Sequence, residues 1–260
     1  MDKFIRAYVK NECLYDFKFG EVNNLINIPH LADGILELPN KNAIIYVSSS
    51  NLNLLLSKIY YSRKKYVLLV ETGDGSLREV DYIPYNVLGI YSCNIEIQHP
   101  LYKYFPFGIL PGHFNAIRKC VDDSGYRENK VFVAFNTNTY AKRHLYRENI
   151  MKLPSDFVVD RNPCNSIEYY EQLLKCKYTA APRGNGVDTY RKYEALHSYS
   201  IPIVQPNLTN LLSPFPCIFT DSEFEISVED IEKQLSGLHY LDNSMLQCSY
   251  WRNKMEKDML

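Results

Sequence analysis

Tyr178-Thr179-Ala180-Ala181-Pro182-Arg183-Gly184-Asn185-Gly186-Val187-Asp188-Thr189-Tyr190-Arg191-Lys192-Tyr193-Glu194-Ala195-Leu196 is followed, after a short turn, by Ile201-Pro202-Ile203-Val204. The small apolar residues at 178–181 and the run at 201–204 read as strands, and the segment between them reads as a glycine loop opening a helix. Gly184 and Gly186 let the backbone approach a ligand closely. Asp188 or Thr189 is placed to cap the helix. The helix N-terminus that follows offers unpaired N–H groups and positive dipole to an anion, typically a phosphate. Arg183 stands at the loop entrance and Arg191 in the first helical turn; Glu194, three residues on, shares a face with Arg191. Cations for phosphates beside a carboxylate for ribose hydroxyls suit a nucleoside diphosphate. A plain helix cap with an Arg191–Glu194 salt bridge is the competing explanation. Neither G-x-x-x-x-G-K-[ST] nor G-x-G-x-x-G occurs.

The rest of the chain alternates in the same way. Residues 43–47, 66–70, 87–91, 130–135, 157–159 and 217–219 read as strands and 94–97 as a further short element. Residues 52–61, 141–151, 166–175 and 227–236 read as helices. Such alternation implies parallel α/β sheets. Pro100, Pro106, Gly108 and Pro111 break the pattern, dividing it into two series. The expectation is two small Rossmann-like lobes facing across a cleft: 1–112, 113–240, and a helical tail at 241–260 packing back on the first lobe. Ligands of open α/β sheets sit at the carboxyl ends of strands. The stretch 136–139, with Asn138, and the loop at 183–186 both lie at such ends, in the second lobe.

With 260 residues, 46% of them hydrophobic, the chain has enough material for a sizeable core. A formal net charge of −1 gives no bulk field toward nucleic acid or membrane. The seven cysteines form no zinc spacing, and their odd count favours free thiols in a reducing compartment. The charged N-terminus does not look like a signal peptide, and no apolar run reaches membrane-spanning length. A cytoplasmic location is expected. The 22 tyrosines supply aromatic faces of the kind that stack on sugar rings, although packing accounts for them equally well.

The quoted stretch closely resembles the C-terminal signature of exostosin-like glycosyltransferases, C-P-R-G-N-G-x-D-T-H-R-x-W-E-A-L followed by I-P-I-V. Ala181 stands for the cysteine, Tyr190 for the histidine and Tyr193 for the tryptophan. The resemblance extends to Phe135 through Arg147, with basic Lys142 and Arg143, to the stretch 68–76, and to His99-Pro100 with Pro106-Phe107-Gly108-Ile109. It is strong over about 130–225 and fair over about 43–112. It implies a two-lobed GT-B-like fold that moves a sugar from a nucleoside diphosphate, most simply UDP, to a glycan hydroxyl with inversion and without a metal or other cofactor. Family members that work in the Golgi usually carry a membrane anchor; its absence here fits a soluble enzyme of a bacterium or large DNA virus. Asn138, Arg143, Arg183, Gly184, Asn185, Gly186, Asp188, Thr189, Arg191 and Glu194 are the expected donor-binding residues. Among family donors, xylose is mildly preferred.

Inversion by single displacement needs one base on the acceptor hydroxyl, and it should come from the first lobe. Asp74, between two glycines after a buried strand, is the first candidate, with Glu71 second and His99 third; a simple D-G turn explains Asp74 equally well. Asp122-Asp123 reads as a surface turn, not a metal motif. Two other classes remain: a sugar-nucleotide-binding module that has lost catalysis, for which Tyr190 and Tyr193 leave room, and a nucleotide-binding regulatory domain.

Overall fold

In the computed structural model, residues 17–19, 38–77, 79–120, 125–160, 165–238 and 242–260 are described. The two series form two separate five-stranded sheets, parallel throughout. The first holds β1 (Phe17–Phe19), β2 (Ala43–Ser48), β3 (Tyr66–Glu71), β4 (Val87–Ser92) and β5 (Tyr102–Tyr104), side by side in chain order. The second holds β6 (Glu128–Val133), β7 (Val158–Asp160), β8 (Cys176–Ala180), β9 (Ile201–Val204) and β10 (Ile218–Phe219), in the spatial order β10-β9-β8-β6-β7. The chain steps from β6 to β7 on one side and then to β8 on the other. The connections leaving β6 and β8 therefore run in opposite directions and open a crevice between them, at the switch point where doubly wound sheets bind ligands.

Eight α-helices and three short 3-10 turns complete the described elements, the α-helices being α1 (Leu52–Ile59), α2 (Pro111–Cys120), α3 (Arg143–Ile150), α4 (Ser166–Lys175), α5 (Tyr190–His197), α6 (Leu208–Leu212), α7 (Val228–Leu235) and α8 (Cys248–Asp258). The period-2 alternation of each strand sends its side chains to two faces, and both are buried. In the first sheet Ala43, Ile45, Val47, Leu68 and Val70 meet Leu55, Leu56 and Ile59 of α1. Ile44, Tyr46, Val67, Leu69 and Tyr91 face the other way, into a core that continues through Trp251 and Met255 of α8 to Phe132, Tyr170, Tyr193 and Leu196 of the second sheet and its helices. A third cluster, including Val131, Val133, Tyr146, Tyr178 and Ile231, fills the far face of the second sheet. The helix α8 returns to the first sheet, where Asp258 accepts a hydrogen bond from Tyr91 Oη at 2.5 Å and pairs with Lys103 at 2.7 Å.

Two details differ from the sequence pattern. The stretch 94–97 forms no strand beyond one bridge between Leu77 and Ile95. The proline- and glycine-broken stretch contains β5 and the start of α2, because Pro111 occupies the first helical position, where its missing N–H costs nothing. The five described cysteines are free thiols. Asp122, Asp123, Cys13 and Cys164 lie outside the described residues. Among the described residues no helix is long and apolar enough to cross a membrane.

Candidate active site at the seam between the sheets

Where β8 ends, the backbone runs along β9 for one more residue, Ala181 N–H donating to Ile203 O, and then turns away as Arg183 N–H finds the Gln205 side chain at 3.0 Å. A tight turn follows, closed by Gly184 N–H to Gly186 O. A Cβ on Gly186 would sit 3.0 Å from Asn94 Oδ1, so the bare backbone at this position is what lets the loop lie against the first sheet. Asn94 joins the two sheets: its Oδ1 accepts from Asp188 N–H at 2.9 Å and its Nδ2 donates to Gly73 O at 2.8 Å. The glycine loop after β8 and the glycine turn after β3 thus share one side chain.

Asp188, one of the expected donor-binding residues, has its carboxylate enclosed by protein. It pairs with Lys192 Nζ at 2.8 Å and accepts from Thr189 N–H, Phe107 N–H, Tyr104 and the Tyr193 hydroxyl. Thr189 occupies the N-cap of α5 without a side-chain cap hydrogen bond. Tyr193, standing where the resembled signature has tryptophan, bonds across the seam to Tyr104 at 2.5 Å and to Phe107 N–H at 2.9 Å. Tyr190 lays its ring 4.6 Å from that of Phe107.

The arginines divide by role. Arg143, 7% exposed, donates to the carbonyls of Arg183, Asn136 and Pro182 at 2.7–2.9 Å, tying the loops after β6 and β8 together; burial, followed by the nearby Arg191 charge, pushes its guanidinium down to about 10. Gly184 leaves room for that guanidinium, since a Cβ there would meet Arg143 Nη2 at 3.4 Å. Arg191 donates to Ala134 O and the Tyr169 hydroxyl, at the mouth of the β6–β8 crevice. Arg183 is the least committed: its side chain is 22% exposed, stacked 4.6 Å over Tyr140, with long contacts to Glu96 (3.3 Å) and Asn185 O (3.4 Å) and a buried Nε that has no partner. Asn138 and Asn185 are exposed on the two loops.

Glu194, on α5, is 4% exposed. It accepts from Tyr169 at 2.9 Å and Tyr170 at 3.1 Å, and His113 Nδ1 of α2 lies 2.7 Å from Oε1, the oxygen that Tyr170 also bonds. Burial pushes this carboxyl up, but the His113 contact, the Arg191 charge and the Tyr169 hydroxyl outweigh it and hold it below the ordinary carboxylate value. His113, Asn94 and Glu96 carried no sequence signal. The helix-opening Pro111 was the available clue to His113.

The three base candidates separate in space. Asp74 is exposed in the turn after β3, where Gly73 adopts a φ of +57°. This turn reaches the second sheet twice, through Gly73 O to Asn94 and through Ser76, whose hydroxyl bonds Glu96, the partner of Arg183. Glu71, half-buried, accepts from the Tyr46 hydroxyl and lines a small void of about 10 Å³. His99 precedes β5, at the amino ends of the strands and away from the turn that holds Asp74, with its Nδ1 accepting from Leu101 N–H at 3.1 Å, and the fold does not bring it to the seam.

Two parallel Rossmann-like units, with loops from the carboxyl ends of their strands meeting at the seam, define an α/β, GT-B-like protein. No family model and no curated protein matches the chain. Among solved structures it is similar to AviGT4, a glycosyltransferase involved in avilamycin A biosynthesis (8% identity, TM-score 0.41, 83% of each chain covered). It is also similar to a UDP-forming α,α-trehalose-phosphate synthase from Burkholderia xenovorans (9%, TM-score 0.43, 83% of this chain and 73% of that one) and to an α1,3-fucosyltransferase (14%, TM-score 0.36, 83% and 77%).

Proposed function

We propose that this chain is an inverting glycosyltransferase that moves a sugar from a UDP-sugar to a hydroxyl of a glycan acceptor. The observation that carries this reading is the meeting of the Arg183–Gly186 loop with the Gly73–Ser76 turn through Asn94 and Glu96. Residues of the first sheet, within 1–112, form the acceptor side, and 113–240 form the donor side. Arg183, with donors to spare, and the uncapped N-terminus of α5 face the diphosphate and stabilise the charge it gains as the glycosidic bond breaks. Arg143 holds the two donor loops in register, and Arg191 lines the crevice beside the nucleoside with Glu194 buried behind it. The acceptor oxygen forms its bond to the anomeric carbon on the face opposite the leaving group. UDP departs with the electron pair, and Asp74 takes the hydroxyl proton. Arginines and a helix terminus carry the charge, so EDTA should leave transfer intact. Xylose is the favoured donor sugar, since nothing in this scheme calls for a carboxylate or acetamide contact.

A panel of UDP-sugars tests the reading by thermal shift and by transfer. A true donor at about 100 times its dissociation constant stabilises by about 2.7 kcal/mol. Arg183→Ala should lose roughly 1.5–3 kcal/mol of UDP binding by calorimetry. A folded variant with unchanged UDP affinity would refute the phosphate assignment.

A further inference from the structure

A cavity of about 540 Å³ opens in the first lobe between the start of α1 and the segment after β3. Its size falls within the roughly 300–1,000 Å³ of ligand pockets. Its wall is built from the carboxyl ends of two adjacent parallel strands, the place where α/β sheets take their ligands. The 3-10 turn Ser49–Asn51 leaves β2 on one side, and the turn 72–76 leaves β3 on the other. Ser49, Ser50, Asn53, Thr72 and Ser76 line it with hydroxyl and amide groups, and Glu79 supplies the only formal charge among its described lining residues. Ser49, Ser50 and Asn53 are solvent-exposed, and no cap hydrogen bond occupies the Asn51 side chain at the start of α1.

We infer that this cavity is the acceptor subsite and that it takes an uncharged sugar residue; the inference rests on the glycosyltransferase reading above. A wall of neutral donors and acceptors matches ring hydroxyls, which both give and receive hydrogen bonds. The Glu79 carboxylate opposes a uronate or phosphate by like-charge repulsion. Position completes the case. Thr72, Gly75 and Ser76 line the cavity, and Asp74 lies in that same turn, so a sugar seated here rests against the turn that carries the proposed base. Ser76 in turn bonds Glu96, the partner of Arg183, which ties this wall to the donor loop.

The test uses the full chain and the methyl β-glycosides of glucose, galactose, xylose and mannose, with methyl glucuronide as the anionic probe. Saturation-transfer NMR in the presence of UDP should show at least one neutral glycoside bound and the glucuronide not. Ser50→Trp, a change at an exposed turn that fills the cavity, should abolish that signal. Asn53→Leu should raise the glycoside concentration needed for half-saturation about tenfold. Calorimetric UDP affinity should stay within twofold of wild type in both variants. Glycoside signals that persist in folded Ser50→Trp, or glucuronide binding equal to that of the neutral sugars, would overturn the inference. Binding of UDP with no neutral glycoside bound sinks the cavity and leaves the donor site standing. Glycoside binding lost on Ser50→Trp, in a protein indifferent to UDP, supports the cavity and sinks the donor reading.

Discussion

Asp74 and Asp188 follow glycines by one and two positions, and their surroundings in the sequence look alike, yet one is exposed and the other is 3% exposed against a buried lysine. The difference lies in partners from distant parts of the chain. Lys192, Tyr193, Tyr104 and Phe107 surround Asp188, whereas Asp74 rides on a turn held through its neighbours Gly73 and Ser76. Exposure leaves Asp74 able to meet a substrate. Asp74→Asn keeps the size of the side chain but cannot take a proton at neutral pH, so transfer should fall about 10²–10⁴-fold. UDP affinity should hold, because the donor loop belongs to the other sheet. Transfer surviving within a few-fold would reduce Asp74 to a turn residue. Arg183 was legible because its neighbours form a continuous string. Asn94, Glu96 and His113 were not, because each is defined by a partner some 80–95 positions away, and a single sequence carries no record of such pairing.

Among the elements, the strands were the easiest to read, since burial on both faces leaves uninterrupted apolar runs such as 66–70 and 201–204. The three-residue β5 and the five-residue α6 are too short for a periodic signal, and α2 begins with Pro-Gly, which reads as a break. Yet α2 proves central, since its His113 meets Glu194 of α5 while Tyr169 and Tyr170 of α4 bond the same carboxylate. The folded state holds this carboxyl below its ordinary value, so the ionised form is the one that stabilises the packing of the three helices. That contribution is fully present above the unfolded-state value near 4.5 and is lost as pH falls through the lower folded one. Glu194→Gln should cost roughly 1.5–3 kcal/mol at pH 7. The gap between wild type and variant should narrow as the pH drops below about 4. Thermal melts from pH 7 to pH 3 read this directly. Equal melting temperatures at pH 7 would show that the three-helix contact contributes nothing net.

At the scale of the whole molecule, the two sheets share one hydrophobic cluster and are pinned by a buried polar core in which Asp188 and Lys192 are 0% and 1% exposed at the side chain. Burial alone would lower the Lys192 ammonium, but the Asp188 charge more than offsets it and holds the group above its ordinary value. Thr209 adds a second tie, its hydroxyl accepting from Ile95 N–H at 2.7 Å and donating to Ile95 O at 2.8 Å. With both ties in place the Arg183 loop and the Asp74 turn are held in one geometry, as the displacement proposed above would require of groups acting on opposite sides of one carbon. Removing one member of a buried ion pair strands the other and typically costs about 3–5 kcal/mol, whereas removing both charges together leaves neither unpaired. Asp188→Asn should therefore lower the urea midpoint markedly, and Asp188→Asn with Lys192→Met should recover much of that loss. The double variant should still transfer more slowly than wild type, because Met cannot reproduce the Lys192 hydrogen bond to Asn210 at 3.1 Å, and the seam relaxes. A single substitution costing less than about 1 kcal/mol would show that the pair is not what fixes the sheets, since an uncompensated buried ammonium cannot be that cheap.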